Sequence, residues 1–254
     1  MATDDASTTT YEQAFGRRSR GVLYVAESIS SVGSSMTLVA LPFAILAAAG
    51  SGFIAMAALT LEGMAIALGG IVAGGVIRRL GPRRSMVISD TTRSGAVVLL
   101  AVLLTEEVAL ASVVAGAFLI SIIGIWTAVH YSAQRSLIDA VSDRGDGATT
   151  NITSWLQASM RSAEVIGPLA GAALLSAWSA PIVLLVDACT FAFSAALITF
   201  VCDAPRVPVL DQALARSPAQ RRRNLVALRD PHIRAAVISI VCADAVFAVI
   251  LGPG

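Results

Sequence analysis

Between two long apolar runs, Ile54 to Ile77 and a second reaching Leu104, lies the stretch Gly74-Gly75-Val76-Ile77-Arg78-Arg79-Leu80-Gly81-Pro82-Arg83-Arg84. Two apolar segments of membrane-spanning length joined by so short a link must run antiparallel, side by side. Glycine accepts a left-handed backbone and proline cannot continue a helix, so Gly81-Pro82 marks the break. The four arginines hold the turn on one side of a membrane. This stretch alone commits the chain to a polytopic helical fold.

Composition agrees. Of the 254 residues, 56% are hydrophobic and 14% charged, whereas soluble domains keep about 25% charged. A water-soluble globule of this make-up would lack the surface to cover its core. All 18 basic residues are arginine and the formal net charge is +1, which leaves no nucleic-acid footprint. Cys189, Cys202 and Cys242 lie in or at the ends of apolar runs and fit neither a metal-ligand spacing nor a disulfide framework. His130 and His232 form no metal cluster and no nucleophile–base pair. The sequence therefore predicts no cofactor and no enzyme.

Taken in order, Met1 to Arg20 reads as a polar cytoplasmic tail ending in Arg17, Arg18 and Arg20. The run from Gly21 to Ala49 is too long for the core of a signal peptide and is the first span. Further spans are expected at about Gly52–Ile77, Ser85–Leu104, Val108–Ala133, Asn151–Ala177 and Pro181–Cys202. Residues 21–202 then form a six-helix bundle, and 203–232 a central loop. Residues 233–254 hold a seventh helix, within or just after which the chain is read as truncated. Twelve arginines, from Arg78 to Arg229, sit in the links after spans two, four and six, and the other links carry no basic residue. The positive-inside rule then makes the N-terminus and the 203–232 loop cytoplasmic, in a multi-pass protein of the inner (plasma) membrane.

Laying the chain on itself so that Asp90 meets Asp187 also puts Gly70 on Gly167, Ala73 on Ala170 and Gly74 on Gly171. The same register lays Arg78, Arg79, Arg83 and Arg84 on Leu175, Ser176, Ala180 and Pro181. A helix pattern that recurs while its charges vanish is what an inverted three-plus-three repeat produces, because the second copy's turn faces the other side.

Ionisable residues within spans are costly and normally face a cavity or a partner. On the first span Glu27, Ser30, Ser31, Ser34 and Thr37 share a face, and Glu27 either faces a cavity or reaches back to the cytoplasmic interface. Glu62, in the middle of the second span, is expected to face a cavity. Asp90 and Arg93 are spaced as an ion pair, with a structural role that includes holding the 74–84 turn. Asp90 or anionic lipid headgroups would offset that turn's arginines. Arg161 and Glu164 repeat the spacing deeper in the fifth span, as a proton or substrate site or as a structural pair. His130 and Tyr131 are expected at the membrane interface.

The turn Gly74, Arg78, Arg79, Gly81, Arg83, Arg84 resembles the loop between the second and third helices of the major facilitator superfamily, with Arg78 where that family has an aspartate. Gly167, Pro168 and Gly171 resemble the fifth-helix signature of the superfamily's antiporters, with Ala163 and Ala172 in place of its outer glycines. Segments around Ile29–Pro42, Ala133–Ile138 and Leu228–Arg234 look like its drug and siderophore efflux branch. The resemblance implies an all-α membrane protein: the six-helix N-terminal half of a major facilitator fold, plus a seventh helix. It also implies proton-coupled efflux of a small molecule by alternating access, with membrane lipid, substrate, proton and a second six-helix half, from a separate chain or by self-association, as partners. Candidate proton or substrate residues are Glu27, Glu62, Asp90, Arg93, Arg161 and Glu164. The sequence admits a second reading, a truncated or non-transporting half that needs a partner half.

Overall fold

The computed structural model describes residues 17–105, 110–142 and 148–201, and these form six α-helices with no strand among them. They are α1 (Arg17–Ala49), α2 (Gly52–Leu80), α3 (Pro82–Leu103), α4 (Leu110–Ser142), α5 (Ala148–Ala177) and α6 (Ala180–Val201). Residues 1–16 of the expected tail, the central loop and the seventh helix lie outside the described residues, and Arg17–Arg20 of the tail belong to α1.

The helix ends follow local chemistry. Gly50 (φ 64°) and Gly81 (φ 79°) are the two described residues in the left-handed region, and each sits at a turn between helices. Ser51 caps α2 by accepting a hydrogen bond from the Ile54 N–H. The basic turn is tighter than expected. α2 runs on through Gly74 and Gly75 to Leu80, so Gly81 alone separates it from α3, whose first residue is Pro82. Arg78 and Arg79 thus occupy the last turn of α2, where its dipole favours cations. α1 and α4 outrun their expected bounds at their polar ends, to Arg17 and Ser142.

α1, α2, α3, α4 and α6 are long and apolar enough to cross a membrane. α5 is long enough, but Gln157, Arg161 and Glu164 leave it less apolar than the span expected there. Large apolar side chains such as Leu38, Phe53, Leu99, Phe118, Leu169 and Phe200 are exposed, as lipid-facing residues are.

Helix packing obeys one exchange rule. α2 packs on α4 as α5 packs on α1; α3 packs on α4 as α6 packs on α1; and α3 meets α6. Exchanging the first three helices with the last three leaves this pattern unchanged, as an inverted three-plus-three repeat requires. Bare glycine backbone makes the equivalent contacts. A Cβ on Gly69 would lie 2.6 Å from the Ile125 carbonyl oxygen, and one on Gly124 2.7 Å from that of Glu62, both where α2 meets α4. On the related pair, a Cβ on Gly167 would lie 3.0 Å from the Val32 carbonyl oxygen and one on Gly171 3.0 Å from that of Met36. Small residues let helices approach closely where lipid supplies no hydrophobic drive.

Two apolar clusters fill the interior. One, toward the arginine end, includes Leu23, Ile77, Met86, Val129 and Ile198. The other, toward the opposite end, includes Leu41, Ile45, Leu100, Ile120, Leu184 and Phe191. Buried polar side chains lie between them.

Candidate functional site

Four helices send ionisable or hydrogen-bonding side chains into that layer: Glu27 from α1, Asp90 and Arg93 from α3, His130 and Gln134 from α4, and Ser194 from α6. All are buried. Asp90 and Arg93 stand one turn apart and form an ion pair. Ser194 Oγ donates to Asp90 Oδ2 at 2.7 Å. Gln134 Nε2 donates to Glu27 Oε2 at 2.7 Å.

His130 joins the two carboxylates. Its Nε2 lies 3.0 Å from Glu27 Oε1, and its Nδ1 lies 3.0 Å from Asp90 Oδ1. The second contact lacks hydrogen-bond alignment, so charge rather than direction holds it. A ring protonated on both nitrogens serves both carboxylates and brings the formal charges of Glu27, Asp90, Arg93 and His130 to zero. A neutral ring serves only one. The Arg93 guanidinium lies 4.2 Å from the centre of the Phe191 ring, a cation–π contact that anchors it to α6, and its Nε has no hydrogen-bond partner among the described residues. The network can therefore gain or lose a proton at a point where α1, α3 and α4 converge.

Several sequence expectations change here. His130 is not interfacial: it is buried between two carboxylates, because its face of α4 turns inward toward α1 and α3. Tyr131, its neighbour, is half-buried. Glu27 does not reach back to the interface; it takes the His130 and Gln134 contacts instead. Asp90 does not hold the basic turn, since its partners are Arg93, His130 and Ser194. Arg78, Arg79 and Arg84 are exposed. Arg83 donates from Nε to the Ile198 carbonyl at 3.3 Å and from an Nη to the Thr199 carbonyl at 2.6 Å. Both carbonyls lie in the last described turn of α6, so Arg83 ties the start of α3 to that turn.

The polar face expected on α1 divides, with Glu27 turned to α4 and Thr37 donating to Asp187 Oδ2 at 2.6 Å. Glu62 is half-buried on α2, outside the network. Arg161 and Glu164 pair at 2.8 Å, but their side chains are 74% and 57% exposed, so they stand on an outer face of α5. Gly167 and Gly171 meet α1, whereas Gly74 faces open space. Sequence reasoning missed His130, Gln134 and Ser194 as members of the layer. The spacing of His130 and Gln134, one turn apart on an apolar helix, was the available signal. A separate apolar cavity of about 170 Å³, lined by residues such as Ile45, Leu61, Leu100 and Ile120, lies toward the other end of the bundle and holds no ionisable group.

A family model described as the Major Facilitator Superfamily matches residues 23–252. No curated protein matches the chain. With the six-helix architecture, its exchange symmetry and five apolar membrane-crossing helices, that match identifies the chain: it belongs to the major facilitator superfamily and serves the transport of a solute across a membrane.

Proposed function

We propose that this chain drives proton-coupled export of a drug-like or siderophore-like small molecule. Access alternates between the two sides of the inner (plasma) membrane, with the N-terminus and the arginine-rich turn cytoplasmic. One observation carries the coupling: the buried network in which His130 bridges Glu27 and Asp90. Ionisable groups inside a membrane protein are costly, and they recur where ions or protons move. Here α1 and α4 do not pack closely on each other, yet Glu27 joins them through His130 and Gln134. Protonating Glu27 removes the charge that draws His130, and so loosens the tie between the two helices.

The export direction and the substrate class rest on the resemblance of the segments Ile29–Pro42, Ala133–Ile138 and Leu228–Arg234 to the efflux branch, and antiport on that of the Gly167-Pro168 segment to antiporters. The exposed Arg161–Glu164 pair supports a second six-helix body, in the same protein or a separate chain, because two charges on an outer face are disfavoured against lipid. In this arrangement substrate passes between the two bodies, with Glu62 and the Arg161–Glu164 pair on surfaces near its path.

The test is uptake of a fluorescent cationic dye and of a ferric siderophore into inverted vesicles carrying the chain together with its second half. Glu27→Gln should abolish uptake driven by a pH gradient and leave substrate binding measurable. Uptake in Glu27→Gln at the wild-type rate would place coupling elsewhere.

A further inference from the structure

The register that lays Asp90 on Asp187 also lays Arg93 on Thr190, and places Gly33 and Thr37 of α1 where His130 and Gln134 stand on α4. The structure repeats these relations in space. Asp90 has Arg93 one turn on and His130 across the helix contact. Asp187 has Thr190 one turn on, with Gly33 and Thr37 across the equivalent contact. The two buried aspartates are therefore counterparts with opposite surroundings. Asp90 faces two nitrogen cations or potential cations. Asp187, 1% exposed, forms no ion pair among the described residues and meets only hydroxyl groups.

Thr37 Oγ1 donates to Asp187 Oδ2 at 2.6 Å. Thr190 Oγ1 lies 2.7 Å from the Asp187 main-chain carbonyl and 3.3 Å from Oδ1. A threonine hydroxyl has one hydrogen, which Thr190 directs chiefly to the main-chain carbonyl and only weakly to Oδ1. Asp187 thus has one full hydrogen-bond donor, Thr37, and no cation in contact with it among the described residues, too little to hold a buried carboxylate charge. We infer that Asp187, with Thr37 and Thr190, is a second proton-binding site, in which Oδ2 accepts from Thr37 and Oδ1 carries the proton. With that proton bound, no bare carboxylate is left buried in the membrane.

Other charged groups are few. Arg93 from α3 and Glu62 from α2 act on Asp187 through space, and α1 presents only Gly33 and Thr37 to it. Gly33 packs so closely that a methyl group on it would lie only 2.5 Å from Asp187 Oδ1. The inverted repeat also sets the depth of the two sites. Asp90 lies about two turns from the start of α3, beside the basic turn, and Asp187 about two turns from the start of α6, at the opposite end. The two sites are thus nearest to opposite faces of the membrane. When the proton leaves, the carboxylate of Asp187 competes with Asp90 for Arg93, whose Nε has no hydrogen-bond partner among the described residues. This inference rests on the proton-coupled reading above and adds a second site to it.

The experiment is infrared spectroscopy of the purified full chain in lipid nanodiscs, taken as a difference between acidic and alkaline buffer. A carboxylic C=O band should be present, be lost in Asp187→Asn and survive in Asp90→Asn. Thr37→Val, which removes the donor to Oδ2, should shift the same band to higher frequency, and it carries the test if Asp187→Asn does not insert. A band unmoved by either substitution overturns the inference. So does one erased by sodium ions at constant pH, which would make the site an alkali-cation site. Transport separates this idea from the wider reading: pH-driven uptake with no Asp187 band removes only the second site. An Asp187 band without pH-driven uptake keeps the site and removes antiport.

Discussion

Glu27 and His130 approach to 3.0 Å across α1 and α4, two helices that otherwise keep apart. The contact links the two halves of the inverted repeat at a point sealed from water and lipid. His130 also faces Asp90, so any change at Glu27 is felt on α3. Coupling of proton binding to helix movement needs such a junction, one group shared by elements that can separate.

Removing His130 should leave two buried carboxylates short of a partner. His130→Ala is expected to destabilise the bundle by about 3–5 kcal/mol, the cost of breaking a buried pair from one side. The double variant Glu27→Gln with His130→Asn should recover much of that loss. Unfolding in mixed micelles, read by circular dichroism, checks both. Strictly additive losses would show that the two residues act independently.

Glycine contacts give a sharper contrast. Gly69→Ala and Gly124→Ala put a methyl group within 2.6–2.7 Å of backbone oxygen on the facing helix, and overpacking of this kind costs about 1–3 kcal/mol. Gly74→Ala meets nothing within 4 Å and should stay within about 0.5 kcal/mol of wild type. Melting temperatures of the three variants would decide the matter, and equal behaviour would count against the α2–α4 contact described here.

Arg83 and Arg84 are adjacent in sequence but differ in work. Arg83→Gln removes the cation from the α6 carbonyls and should cost about 1 kcal/mol. Arg84 is exposed, so Arg84→Gln should be near neutral. Hydrogen exchange at the last turn of α6 is the measurement, and faster exchange is expected in Arg83→Gln alone.

The proposed orientation has its own test. Cysteines introduced at Gly50 and Ser179 should react with an impermeant maleimide in intact cells, and one at Arg83 should not. Labelling of Arg83→Cys from outside would reverse the topology.

The sequence by itself determined the helical membrane fold, the approximate bounds of α1 to α6, the one-sided placement of arginines and the repeat. The reason is that a span writes its length directly into a run of apolar residues, and a repeat needs only a register. Which way each charge points was decided by tertiary structure. His130 and Arg161 look alike in sequence, each an ionisable residue on a helix, yet one is buried between carboxylates and the other is 74% exposed. Gly69 and Gly74 stand on the same helix, yet one touches backbone and the other touches nothing. Burial on a membrane helix depends on which neighbour occupies each side, and lipid and protein interiors are both apolar. Periodicity therefore separates the polar face of α5 from the rest but cannot tell lipid from core on the other helices. Asp187 shows both levels at once: its kinship with Asp90 is written in the register, whereas its lack of a cation appears only once Gly33 and Thr37 of α1 are packed against it.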